Sequence, residues 1–151
     1  MKNKILDNNA IAMFSTIRDL ANKLIINELA QRGYTDICSS HGEILYNLYK
    51  HNTLNMRDLA NKIKRDKSTV TVLVKKLENI GYINRIKSKE DARMQILSLT
   101  SKADDFYPVF QKVSFILNTV AFKDFKEYEI EMLLDMLSRI IKNVKNNETT
   151  S

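Results

Sequence analysis

Ser68, Thr69 and Thr71 stand near the start of the stretch RDKSTVTVLVKKLENIGYINRIKSKEDARMQILSLT (65–100), with the adjacent lysines Lys75 and Lys76 a short way behind them. Short hydroxyl side chains exchange hydrogen bonds at close range, and lysines are point charges on flexible stems that neutralise anions. Together they suit a surface that touches hydrogen-bonding groups closely and has an anionic backbone passing beside it. The charge distribution points the same way. From Asn55 to Met94 the chain carries 11 Lys and Arg against 5 Asp and Glu, whereas the remainder balances at 13 against 13. The whole net charge of +6 therefore resides in about a quarter of the chain. A neutral body with one basic segment is an electrostatic footprint for a polyanion; the plainer alternative is the solvated face of a lysine-rich protein.

These residues need elements to hold them. Asp66 is a good N-cap for a helix running to Ile80, and Gly81 is placed to end it in the left-handed conformation that glycine adopts cheaply. At 100° per residue, Val70, Leu73, Val74, Leu77 and Ile80 form one face, while Ser68, Thr71, Val72, Lys75 and Asn79 gather on the other. The first set is core. The second is small and polar near the N-terminus, where a helix approaches base edges closely, and basic further along, where phosphates would pass. Val72 is either a contact for a thymine methyl or a spare apolar residue.

Upstream, Asn55 caps a short helix with Met56, Leu59, Ala60 and Ile63 at helical spacing, and the break at Lys64-Arg65-Asp66 is tight. Before it, Ser39 or Ser40 can cap a helix from His41 to Lys50, with Ile44, Leu45, Leu48 and Tyr49 as its buried stripe. Downstream, the runs Tyr82–Lys87 and Met94–Leu99 flank a charged loop and read as a two-stranded hairpin. The pattern is a winged helix-turn-helix over 39–100. Arg85, Lys87, Lys89, Asp91 and Arg93 belong to its wing, which would reach the adjacent minor groove, where negative potential attracts Arg and Lys. Asp91 is set to orient Arg93 through a charge-assisted hydrogen bond, although an isolated Asp-x-Arg is commonly a surface ion pair.

Long helices frame this part. Met13, Phe14, Ile17, Leu20, Ala21 and Leu24 predict a first helix ending near Gly33; Phe106, Phe110, Val113 and Leu117 predict another, with a kink at Pro108; Leu133, Met136, Leu137, Ile140 and Val144 predict a last one. Their apolar stripes exceed what one small domain covers, which predicts a homodimer built on 5–33 and 101–146. Disorder is expected only in the tail from Asn146.

Asp-Lys-Ser-Thr-Val-Thr (66–71), then Leu73-Val74, Leu77-Glu78, Gly81 and the wing Glu90-Asp91-x-Arg93 followed by Leu97-Ser98-Leu99-Thr100, resemble the MarR family of bacterial transcriptional regulators. The resemblance implies a mostly α fold, a triangular two-fold dimer, a recognition helix in the major groove and Arg93 in the minor groove. It also implies regulation, typically repression, of transcription from a palindromic duplex operator, and often a small-molecule pocket between the dimerisation and DNA-binding parts. One departure is Val72, at a position that is often Arg in the family.

Arg18, Tyr34, Tyr46 and Tyr49 are the candidate lining of a pocket for an aromatic or anionic effector, against the alternative that aromatics at helical spacing are core. Cys38 is the one thiol and so the one candidate redox sensor, although the family's usual sensing cysteine lies in the first helix; otherwise it is a small buried hydrophobe. Cys38 and His41 have a Cys-x2-His spacing, but His51 is the only other histidine and a tight zinc site wants four ligands, so no metal is expected.

No Ser/His/Asp, Cys/His or paired-carboxylate arrangement and no glycine-rich phosphate loop stands out, so the chain does not read as an enzyme and calls for no cofactor. No apolar run approaches the roughly 20 residues that cross a bilayer, and MKNKILDNNA lacks a signal peptide's apolar core, which makes a single cytoplasmic domain over 1–151 the expectation. The competing reading from another class is a winged-helix module that binds a protein or RNA partner through the same basic face.

Overall fold

The computed structural model describes residues 9–148, which fall into two compact units divided between Phe115 and Ile116. The expectations for residues 5–8 and for the tail beyond Glu148 lie outside the described residues. In order come α1 (Ala10–Gln31), a 3-10 turn (Ser39–His41), α2 (Gly42–His51), β1 (Thr53–Asn55), α3 (Met56–Ile63), α4 (Lys67–Asn79), β2 (Ile83–Lys87), β3 (Gln95–Leu99), α5 (Ser101–Ala121) and α6 (Glu127–Glu148).

Local rules explain most of the helix ends. The Asn55 side chain accepts the Asp58 backbone N–H at 2.8 Å and starts α3; Asp66 accepts the Thr69 N–H at 2.8 Å and starts α4. α1 and α4 close alike: Tyr34 N–H bonds the Leu29 carbonyl and Gly33 N–H that of Ala30, while Tyr82 N–H bonds Leu77 and Gly81 N–H bonds Glu78. This double bond pattern needs a left-handed residue, supplied by Gly33 (φ +83°) and Gly81 (φ +85°). Between α3 and α4 the same conformation falls on Lys64 (φ 53°), a side chain that adopts it at a cost.

Three expectations need correction. The sheet has three strands, not two, in the order β1-β3-β2, all antiparallel, with Leu54 opposite Leu97 and Arg85 opposite Leu97 on its other side. β1 is only Thr-Leu-Asn, too short to show alternation. α2 begins at Gly42, after the 3-10 turn that Ser39 and Ser40 themselves form; its N-cap position falls on His41, and no side chain caps it. α5 runs through Pro108, which lacks the N–H that would bond the Asp104 carbonyl and does not end the helix. The described part of the expected tail, Asn146 to Glu148, is the last turn of α6.

The core lies in the first unit. Leu45 and Leu48 of α2, Leu59 of α3, Val70, Val74 and Leu77 of α4, Leu97 of β3 and Phe106 of α5 form one buried cluster together with Tyr82. It is this packing of α4 through Val70, Val74 and Leu77 that turns the opposite face of the helix outward.

Candidate nucleic-acid interface

On that outward face Ser68, Thr71, Val72, Lys75 and Lys76 are exposed, Val72 at 68%, and Thr69 is half-buried. The Asp66 carboxylate organises the first turn. One oxygen accepts the Thr69 N–H and the Ser68 hydroxyl, and the other accepts the Thr69 hydroxyl at 2.7 Å. Those bonds hold the Asp66 carboxyl well below the usual carboxylate range. The Thr71 hydroxyl donates to the Lys67 carbonyl at 2.7 Å. These hydroxyl protons are thus committed within the first turn, which leaves the oxygens their acceptor lone pairs.

The wing tip is shaped by backbone hydrogen bonds. Ser88 Oγ accepts the N–H groups of Glu90 and Asp91 at 3.2 and 3.4 Å, and Ser88 N–H bonds the Met94 carbonyl at 2.8 Å. Asp91 accepts the Arg93 backbone N–H at 2.9 Å. It therefore orients Arg93 through the main chain, and among the described residues no carboxylate pairs with the Arg93 guanidinium. Lys87, Lys89 and Arg93 are exposed. Arg85 behaves differently: its guanidinium grips both carboxylate oxygens of Glu78, at 2.7 and 3.1 Å, and donates to Gln95 Oε1 at 2.8 Å. Sequence reasoning missed Glu78 as that partner, because a helix residue and a strand residue seven positions apart show no pairing pattern. It also missed Lys67, an exposed cation in the first turn of α4.

Beneath this surface His41 is fully buried, and burial, then the nearby Lys76 charge, push its imidazole below the ordinary histidine value. Cys38 is half-buried, its Sγ 3.0 Å from Ser40 Oγ and 3.5 Å from His41 Nδ1. Among the described residues no group of three or more His, Cys, Asp or Glu is placed to hold a metal ion.

Of the four candidate effector residues, the structure brings two together. Tyr46 and Tyr49 of α2 line an open cleft of about 460 Å³, with Lys50, Tyr107, Phe110, Gln111 and Ser114. Tyr49 donates its hydroxyl proton to the Ala103 carbonyl at 2.6 Å and packs at a tilt against Tyr107, ring centroids 4.4 Å apart; burial pushes its phenol above the ordinary tyrosine value. Tyr34 instead packs on Phe106 at 4.9 Å, and Arg18 lies exposed on α1 beside Asp19 at 3.6 Å. The α5 contribution was invisible in the sequence because the pairing spans 54 residues.

Residues 38–94, which contain α2 to β2 and the wing tip, match the family model described as the MarR family. The chain is similar to the uncharacterized HTH-type transcriptional regulator YybA of Bacillus subtilis, with 25% identity over 124 residues, 81% of this chain and 83% of the relative. A MarR protein from Peptoclostridium difficile superposes with a TM-score of 0.79 at 25% identity, covering 97% of this chain and 94% of its own. A cysteine variant of Escherichia coli MarR complexed with operator DNA superposes with a TM-score of 0.73 at 17% identity, covering 85% and 91%. No described helix is long and apolar enough to cross a membrane.

Proposed function

We propose that this chain is a winged helix-turn-helix transcriptional regulator of the MarR family, and that it represses transcription by binding a palindromic duplex operator as a homodimer. The observation that carries the reading is the outward face of α4. Ser68, Thr69 and Thr71 lie at its N-terminal end with Lys75 and Lys76 behind them, and the exposed Lys87, Lys89 and Arg93 lie beyond on the wing. In that reading α4 enters the major groove, the hydroxyls and Val72 meet base edges, the lysines neutralise phosphates and Arg93 enters the minor groove.

A small effector fits the same reading. The cleft between α2 and α5 offers four aromatic rings, from Tyr46, Tyr49, Tyr107 and Phe110, and one cation, Lys50, which suits an aromatic or anionic compound. A compound seated there would touch α5 and the helix that precedes the DNA-reading pair, and a ligand with unequal affinity for two arrangements of them would shift their populations.

Arg93→Ala tests the DNA contact. Its expected cost is about 1–3 kcal/mol in binding to a duplex that the wild-type protein selects from a random pool, with the thermal transition unchanged. Equal affinity of variant and wild type at fixed salt would return Arg93 to an ordinary surface residue.

A further inference from the structure

Glu78 is a carboxylate on the helix that presents the basic face, where a polyanion would be repelled. Its partner explains its presence. Arg85 reaches back from β2 and forks onto it, Nη2 to Oε2 at 2.7 Å and Nε to Oε1 at 3.1 Å, while Nη1 reaches Gln95 Oε1 on β3 at 2.8 Å. One guanidinium thus ties α4 to both strands that carry the wing. The Glu78 and Arg85 side chains are each only 25% exposed, a degree of cover at which the paired fork holds its geometry better than surface pairs do. The covalent link it braces is short. Only Ile80, Gly81 and Tyr82 separate α4 from β2, and Gly81 at φ +85° makes the left-handed closure between them.

We propose that Glu78, Arg85 and Gln95 form a strut that holds the wing at a fixed angle to α4, so that helix and wing tip meet duplex DNA in one register. Arg85 is then a positioning residue, and the phosphate contact expected from its charge alone is not its task. The proposal rests on the DNA-binding reading above. It has a counterintuitive consequence: removing a negative charge from the basic face weakens specific binding. Without the strut, the angle of the wing to α4 is held less narrowly, and fixing it on binding subtracts from affinity.

The test uses the full chain, a duplex enriched by the wild-type protein from a random-sequence pool, and unselected duplex of the same length. Glu78→Gln is expected to lose roughly tenfold in affinity for the enriched duplex, the size of one charge-assisted contact, while its binding to unselected duplex is unchanged or tighter. Arg85→Lys, which keeps the charge but loses the fork, is expected to show the same loss with no change in the slope of log K against log salt. The double variant is expected to lose no more than either single one, since both remove one device. Spin labels at Asn79→Cys and Lys89→Cys, in a Cys38→Ser background, are expected to give a narrow distance distribution that broadens on adding Glu78→Gln. The proposal is overturned if Glu78→Gln tightens both complexes with an unchanged distribution. It is equally overturned if Arg85→Lys binds like wild type while Arg85→Gln weakens both duplexes alike and lowers the salt slope by about one unit. Failure of the wild-type protein to enrich any duplex would overturn the DNA-binding reading itself, and is seen before any substitution is made.

Discussion

The first turn of the outward face of α4 is set by the Asp66 carboxylate, and the buried His41 feels the charge of Lys76 on the same face. The ring is fully buried, and its Nδ1 accepts the Cys38 N–H, so it is neutral with the proton on Nε2. Burial and the Lys76 charge hold its folded value below the unfolded value of about 6.5. Between the two values the unfolded chain binds the extra proton. The contribution of the neutral ring to stability is therefore complete above about pH 6.5 and declines as the pH falls below it. The melting temperature of the wild type should drop more steeply than that of His41→Gln as the pH is lowered from about 7.5 to about 5; parallel curves would contradict this. Asp66 titrates in a lower range, since its hydroxyl bonds depress it, so its capping contribution persists until the pH falls below the ordinary carboxylate value.

The elements that position these residues were legible where a local rule governs them. Asn55 and Asp66 announced the starts of α3 and α4, and Gly33 and Gly81 the ends of α1 and α4, because caps and left-handed closures depend only on neighbours. Replacing Asn55 by Ala removes the acceptor for the Asp58 N–H and should lower unfolding stability by about 1 kcal/mol in a denaturant titration. No loss would mean that water replaces the cap at no cost. What depends on distant partners was not legible. β1 exists because Thr53–Asn55 meets β3 more than forty residues later, Arg85 is engaged because Gln95 and Glu78 converge on it, and the cleft exists because α5 brings Tyr107 and Phe110 against Tyr49. Tyr34 misled for the same reason: its ring suits a pocket, but Phe106 arrives to cover it. Lys64 carried no signal at all, since a left-handed turn is usually announced by glycine.

At the scale of the molecule, long helices leave apolar side chains in water. On α1, Met13, Ile17 and Leu20 are each more than half exposed, and no described residue of α6 is buried although Met132, Leu134, Met136, Ile141 and Val144 belong to it. Apolar surface of this kind is retained where a partner covers it. Sedimentation equilibrium at micromolar concentration should therefore return twice the mass of the chain, and a monomer would remove the basis for a palindromic site. The division of labour on the basic face is tested most directly by a salt titration of Lys76→Ala and Thr71→Ala on a duplex enriched by the wild type and on unselected duplex. Lys76→Ala should weaken both complexes alike and lower the slope of log K against log salt by about one unit. Thr71→Ala should narrow the gap between the two duplexes with the slope almost unchanged. If Lys76→Ala abolished the preference for the enriched duplex while Thr71→Ala weakened both complexes equally, α4 would not lie in the groove as proposed.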